Sequence, residues 1–448
     1  MEQLTHSQTQ PAFPHRVRPA SFLSQPRSNS SDDRASVLAA ILNIGLLAPA
    51  IFRWVLPVTL EIPYSFVFCG VSIPYSDMTF LLLPFLALVA RPRVQRATLI
   101  LGALALIWSV CAGLLQDPHF DLYNASAAFD TYYPIILVSL IPIRLASAKP
   151  LRWLLFAVIL YMCAQITAYS LGWLTWDRPL GYVIGDTSII RINTTMGAST
   201  GAALLLAIIY AIHLELTGPT NRLERLLAGA CTFEALLLLS ARGAFLVIIG
   251  AAFFYVFNNR SLARRLFSFK GLFLGTLISL GIVLAFLAVG GGLKFRVNEL
   301  GGAQDLNLFS SGRSSLWTQS SDTRDGWGLL GSGVGNVDPR GRPAETSRID
   351  WDSRTHNTYL AVYYESGLIG LILFCAVFGT WLAATFRRGR RLPGYAFVVA
   401  YCAVAFMLES CPLSVDYMLP LLVLMSVVRQ KDARPSHRAI TFRHLAPR

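Results

Sequence analysis

Residues 354–370, RTHNTYLAVYYESGLIG, close a long polar segment and open an apolar run that continues to about residue 385. From residue 358 onward the only charged side chain in that run is Glu365. A bilayer core demands about 18 or more apolar residues of a helix, and this run exceeds that length. The stretch therefore reads as a chain entering a membrane from an aqueous segment, with His356 at the point of entry.

Comparable windows recur on both sides of it. They lie near 36–57, 73–90, 97–115, 130–147, 151–173, 196–216, 223–240, 243–258, 271–290, 358–385, 393–410 and 413–428. Of 448 residues 54% are hydrophobic and 14% charged, a balance that a water-soluble fold could not bury. The predicted fold class is an all-α polytopic membrane protein of about twelve transmembrane helices with one large loop. Residues 61–77, EIPYSFVFCGVSIPYSD, are the weakest part of that pattern and read as a re-entrant or interfacial piece.

The predicted organisation follows from the same windows. Residues 1–35 are rich in Ser, Gln and Pro and read as a disordered cytoplasmic tail, residues 36–290 hold the first nine spans, and residues 291–357 form the large outer loop. Residues 358–428 hold the last three spans, and 429–448 form a basic cytoplasmic tail.

The net charge of +13 is explained by topology rather than by nucleic acid. With the N-terminus inside, the segments RPRVQR (91–96), 144–152, TNRLER (220–225), NNRSLARRLFSFK (258–270), RRGRR (387–391) and the tail from Arg429 all fall on the cytoplasmic side. About 26 of the 38 basic residues then obey the positive-inside rule. The seven cysteines lie in or beside apolar spans without paired spacing, which argues against a disulfide framework or a metal site. No HExxH and no internal repeat is present.

On the outer side, Arg191 precedes the sixth span, Arg242 starts the eighth, and His356 starts the tenth. Helix N-termini attract anions, and an Arg fork binds phosphate oxygens bidentately without losing its charge. Arg313 in the large loop adds a third guanidinium. An interfacial Arg can also simply snorkel to lipid headgroups. His356 at a helix start is a candidate proton acceptor. On a continuous helix Glu365 would face away from it and lie about 14 Å deeper, so the carboxylate is expected to pair with a neighbouring helix, which Gly367 and Gly370 would allow to approach closely. The Gly-rich GSGVGNV (331–337) reads as a flexible turn.

The ordered set LSARGAF, SGRSSLW, GWGLLGSGVGN and RTHNTYLAVYYESGLIG is similar to the bacterial O-antigen ligase and Wzy-type polymerase superfamily, over about residues 191–385. That resemblance implies a metal-independent inverting glycosyltransferase of the GT-C type in the inner membrane, its active site facing the periplasm and no cofactor required. It implies a glycan on undecaprenyl diphosphate as donor, and a glycan or lipid A core as acceptor. A chain-length regulator and a flippase are implied partners. On this reading Arg242 and Arg313, with Arg191 as a further contact, hold the donor diphosphate, and His356 takes the acceptor hydroxyl proton. Three functions remain open at this stage: a polymerase of lipid-linked repeat units, a ligase to lipid A core, and a flippase or transporter of lipid-linked sugar. The polymerase is favoured, and the clustering of informative residues at one face speaks against the transporter.

Overall fold

The computed structural model describes residues 47, 65–68, 71–74, 95–116, 122–140, 148–171, 173, 180–184, 187–191, 199–218, 221–239, 242–266, 268, 328–331, 333, 357–389, 391–408 and 415–433. The expected spans at 36–57, 73–90 and 271–290 lie outside these residues almost entirely. So do both tails, apart from the start of the second, and most of the large loop.

The described helices are α1 (Arg96–Gln116), α2 (Leu122–Leu140), α3 (Ala148–Ser170), α4 (Ser199–Leu216), α5 (Arg222–Leu239), α6 (Arg242–Asn258), α7 (Arg260–Leu266), α8 (Thr358–Gly389), α9 (Pro393–Leu408) and α10 (Val415–Ala433). By length and composition, Arg96–Gln116, Ala148–Ser170 and Thr358–Phe386 are apolar enough to cross a membrane. A fourth candidate is the bent pair Gly243–Asn258 and Arg260–Leu266, which turns by 109°.

Two antiparallel hairpins interrupt the helical frame: β1 (Ser65–Phe68) with β2 (Val71–Pro74), and β3 (Leu180–Ile184) with β4 (Thr187–Arg191). The first occupies the stretch expected to be re-entrant or interfacial. The second lies in the outer segment before α4, where no strand was expected.

The helices are sorted as lipid-facing helices should be. In α1 the buried positions are Gly102, Ala105, Ser109, Ala112 and Gly113, whereas Ile100, Leu104, Ile107, Leu114 and Leu115 are exposed. Small residues inside and large apolar ones outside reverse the pattern of a soluble helix, because between membrane helices close packing replaces the hydrophobic drive. A Cβ on Gly102 would sit 2.9 Å from Ile135 Cγ2 of α2, so the glycine sets that approach. Helices α4 and α10 are buried all round, from Ala202 to Ile208 and from Met418 to Val428, and form the centre.

One end of the bundle is a polar clamp. Glu224 at the start of α5 accepts from His213 Nε2 at the end of α4 (3.0 Å) and lies 3.3 Å from Arg152 of α3. Buried Glu215 receives the Gly394 N–H at the start of α9 (2.6 Å) and Lys431 of α10 (2.8 Å). Arg429 of α10 donates to Gln95 beside α1 (2.6 Å). Six helix ends thus meet at one level, and all belong to the segments expected on the cytoplasmic side. Two contacts in the same sequence order make a parallel pair: Arg152 meets Glu224, and farther along Thr167 meets Glu234 (3.3 Å), so α3 and α5 rise together from that end.

The span at 358–385 is not one straight helix. Gly367 has φ 67° and ψ −169°, which no helix contains. In a straight helix Tyr359 and Phe374 would stand about 22 Å apart, yet their ring centroids are 6.3 Å apart. The arm Thr358–Ser366 therefore folds back beside the residues that follow Gly367.

Candidate active site

Helix α9 carries a π-turn at Tyr401–Ala405, in which the Phe406 N–H bonds to Tyr401 O rather than Cys402 O. The Cys402 carbonyl is thereby released and accepts the Tyr359 hydroxyl at 2.6 Å. Irregular turns inside helices recur where helices carry function. Tyr359 also meets Phe406 edge-on at 5.7 Å. At the start of the arm, buried Asn357 is the N-cap, its Oδ1 accepting the Leu360 N–H at 3.0 Å. Asn357 follows His356 directly, so the arm is the element that begins next to the candidate base.

The bend is closed by the Gly-rich segment of the large loop. Gly333 N–H donates to Glu365 O (3.0 Å), and Leu368 N–H donates to Gly328 O (3.3 Å). A broken helix leaves free carbonyls on one side and free N–H groups on the other, and residues 328–333 satisfy one of each. Trp108 Nε1 of α1 donates to Ser366 O (2.8 Å), and the Ser109 and Ser366 hydroxyls bond at 2.9 Å. Tyr132 of α2 is buried beside both serines. Gly331 has φ 78°, and a Cβ there would lie 2.7 Å from Glu365 O; one on Gly367 would lie 2.6 Å from Gly331 N. Only glycines permit this seating.

These facts revise two expectations. GSGVGNV begins with residues that are docked rather than free-standing. Glu365 is not deeper than the start of its helix: the fold-back puts it at the bend, while Tyr359 lies level with Phe374, about 10 Å further toward the polar clamp. Gly370 does admit a neighbouring helix, with Trp108 Cδ1 3.6 Å from the place of its Cβ, whereas Gly367 admits the loop instead.

Arg242 is the first residue of α6. Phe254 beside Tyr395 (6.1 Å) and Gly250 against Ala400 fix α6 antiparallel to α9. Carried to the start of α6, that register places Arg242 level with about residue 408 on α9. Tyr359 touches Phe406, so the start of α6 and the start of the arm lie within about two helical turns in depth, away from the clamp. Arg191 is the last residue of β4, paired with Leu180, and α4 opens only at Ser199, so Arg191 is not at the helix start where the sequence suggested it. Arg313 and His356 lie outside the described residues.

Sequence reasoning missed Trp108, Ser109, Tyr132 and Tyr359 as supports of this region. The Ser366–Gly367 pair was a readable signal, since sharp kinks cluster at Gly/Ser pairs. Among the described residues no group of His, Cys, Asp and Glu is arranged to hold a metal ion.

No curated protein matches the chain. Residues 227–375 match the family model described as O-Antigen ligase (Wzy_C), a segment that contains Arg242, Arg313, His356, the docked glycines and the bend but not Arg191. Residues 227–375 are thus similar to the O-antigen ligase family, within a chain whose described residues include three helices, or four with the bent pair, long and apolar enough to cross a membrane.

Proposed function

We propose that this protein is a metal-independent inverting glycosyltransferase that polymerises undecaprenyl-diphosphate-linked oligosaccharide repeats into O-antigen or exopolysaccharide. It would work in the bacterial inner membrane through about twelve spans, with residues 291–357 forming a periplasmic loop and the polar clamp facing the cytoplasm. The lipid diphosphate leaves as acceptor oxygen attacks the anomeric carbon from the opposite face. Arg242 and Arg313, helped by Arg191, hold the diphosphate and offset the negative charge that grows on it. His356 takes the proton from the attacking hydroxyl.

The reading is supported by the depth of Arg242 and of the arm that follows His356 in sequence, two elements separated by more than a hundred residues whose starts lie within about two helical turns of each other along the bundle. A leaving-group cation and a base must stand on either side of one anomeric carbon, and a common level is the first requirement. The O-antigen ligase match over 227–375 supports the same chemistry.

The test is the glycan of cells that lack the gene. Single repeats on the carrier or on lipid A core are expected. Long chains stranded on undecaprenyl diphosphate would make the protein a ligase, and repeats held at the cytoplasmic face would make it a transporter.

A further inference from the structure

Three features of the arm Thr358–Ser366 have no part in the chemistry above: a tyrosine bonded across to a π-turn, a loop stitched into a helix break, and an indole on the carbonyl beside that break. The first two cost regular hydrogen bonding, since α9 gives up one helical bond and α8 gives up its continuity. All three act on the same short helix, and that helix starts beside His356.

We infer that Tyr359 is a positioning residue, which fixes the His356 arm in the membrane domain by donating its hydroxyl to the Cys402 carbonyl released by the π-turn, while residues 328–333 lock the other end of the arm at Gly367. The inference rests on the reading of His356 as the base. Tyr359 follows His356 by three residues in sequence, and its ring is wedged between Phe374 and Phe406. Its hydroxyl therefore registers the arm along α9, the helix that also packs against α6 and so sets the depth of Arg242. The 328–333 anchor belongs to the large loop, so the loop that would meet the acceptor is joined by one backbone hydrogen bond to the arm, at Glu365, and by a second to Leu368 just beyond the bend. Tyr359 touches no reacting atom in this scheme. It limits how far the imidazole strays from the attacking hydroxyl.

The experiment uses the full chain in lipid nanodiscs with the lipid-diphosphate oligosaccharide isolated from the source cells as donor. Initial rates at varied donor are measured with amide hydrogen exchange across 358–366. Tyr359→Phe keeps the ring and removes one hydrogen bond, so kcat is expected to fall about tenfold with donor KM within about twofold. Gly367→Ala must push residues 328–333 away or straighten the bend; kcat falls about 100-fold, the scale of a catalytic group misplaced by about 1 Å. Both variants speed exchange in the arm and leave 371–386 protected. Gly379→Ala, on the same helix with nothing within 4 Å of the new Cβ, behaves as wild type. Unchanged kcat in Tyr359→Phe, or a loss confined to donor KM, overturns the inference, as does unchanged exchange in the arm. If His356→Ala keeps full turnover, the base reading fails instead, and the exchange data still decide whether Tyr359 holds the arm.

Discussion

Replacing Lys431 by Met isolates the pair that ties α10 to α4 and α9. Glu215 is 2% exposed and its carboxylate holds two partners, the Gly394 N–H and the Lys431 ammonium at 2.8 Å. Lys431→Met preserves most of the stem packing and leaves the carboxylate with the single N–H. Removing one member of a fully buried ion pair costs about 3–5 kcal/mol. The Lys431 side chain is 32% exposed, so water can replace part of its contribution, and about 2–3 kcal/mol is expected. Glu215→Gln keeps an acceptor for Gly394 but sets an amide against the ammonium, for about 1–2 kcal/mol. The double variant has no charge left to strand and should cost less than the two single losses together, by at least about 1 kcal/mol. Equilibrium unfolding in mixed micelles, followed by tryptophan fluorescence, supplies all four values. A Lys431→Met protein within about 0.5 kcal/mol of wild type, or strict additivity, would refute the claim that this clamp holds the bundle end together.

Other outcomes follow from the same structure. Arg242→Lys retains the charge but loses the bidentate fork, so turnover should fall about 100-fold with the protein still folded, read by initial rates and size-exclusion chromatography. In a cysteine-free background, Arg264→Cys on α7 should react with a membrane-impermeant maleimide only after the cells are opened, whereas Trp173→Cys, beyond the far end of α3, should react in intact periplasm. The reverse pattern would invert the topology. Trp108→Phe removes one interhelical hydrogen bond to Ser366 O and should destabilise by about 0.6–1.7 kcal/mol in the same unfolding assay.

The sequence revealed most where lipid acts on whole segments. Apolar windows overlap the described helices from Arg96 onward, least closely at 130–147 against Leu122–Leu140, because a bilayer imposes length and composition at once, and basic segments lie beside the helix ends that meet around Glu224 and Glu215. It was silent where a single dihedral decides. The window over 358–385 is as apolar with a bend at Gly367 as without one, so hydropathy could not register that the chain folds back there. The depth of Glu365 changes with that bend, because a distance counted along one helix axis does not survive the break at Gly367. The hairpin ending at Arg191 was legible in principle: Gly185–Asp186 is a two-residue turn signal between β-branched runs. It lost out to the expectation that a polar outer segment is a loop. The partnership of Gly331 with Gly367 joins two parts of the chain far apart in sequence, and no local pattern records which glycine a glycine will touch.

In the proposed reaction His356 removes a proton from the acceptor hydroxyl while arginines hold the donor diphosphate. The most direct measurement compares wild type with His356→Ala in nanodiscs, recording donor binding and single-turnover transfer in the same preparation. Donor affinity is expected to stay within about threefold and transfer to slow by at least about 100-fold. Transfer at the wild-type rate with His356 absent would contradict it.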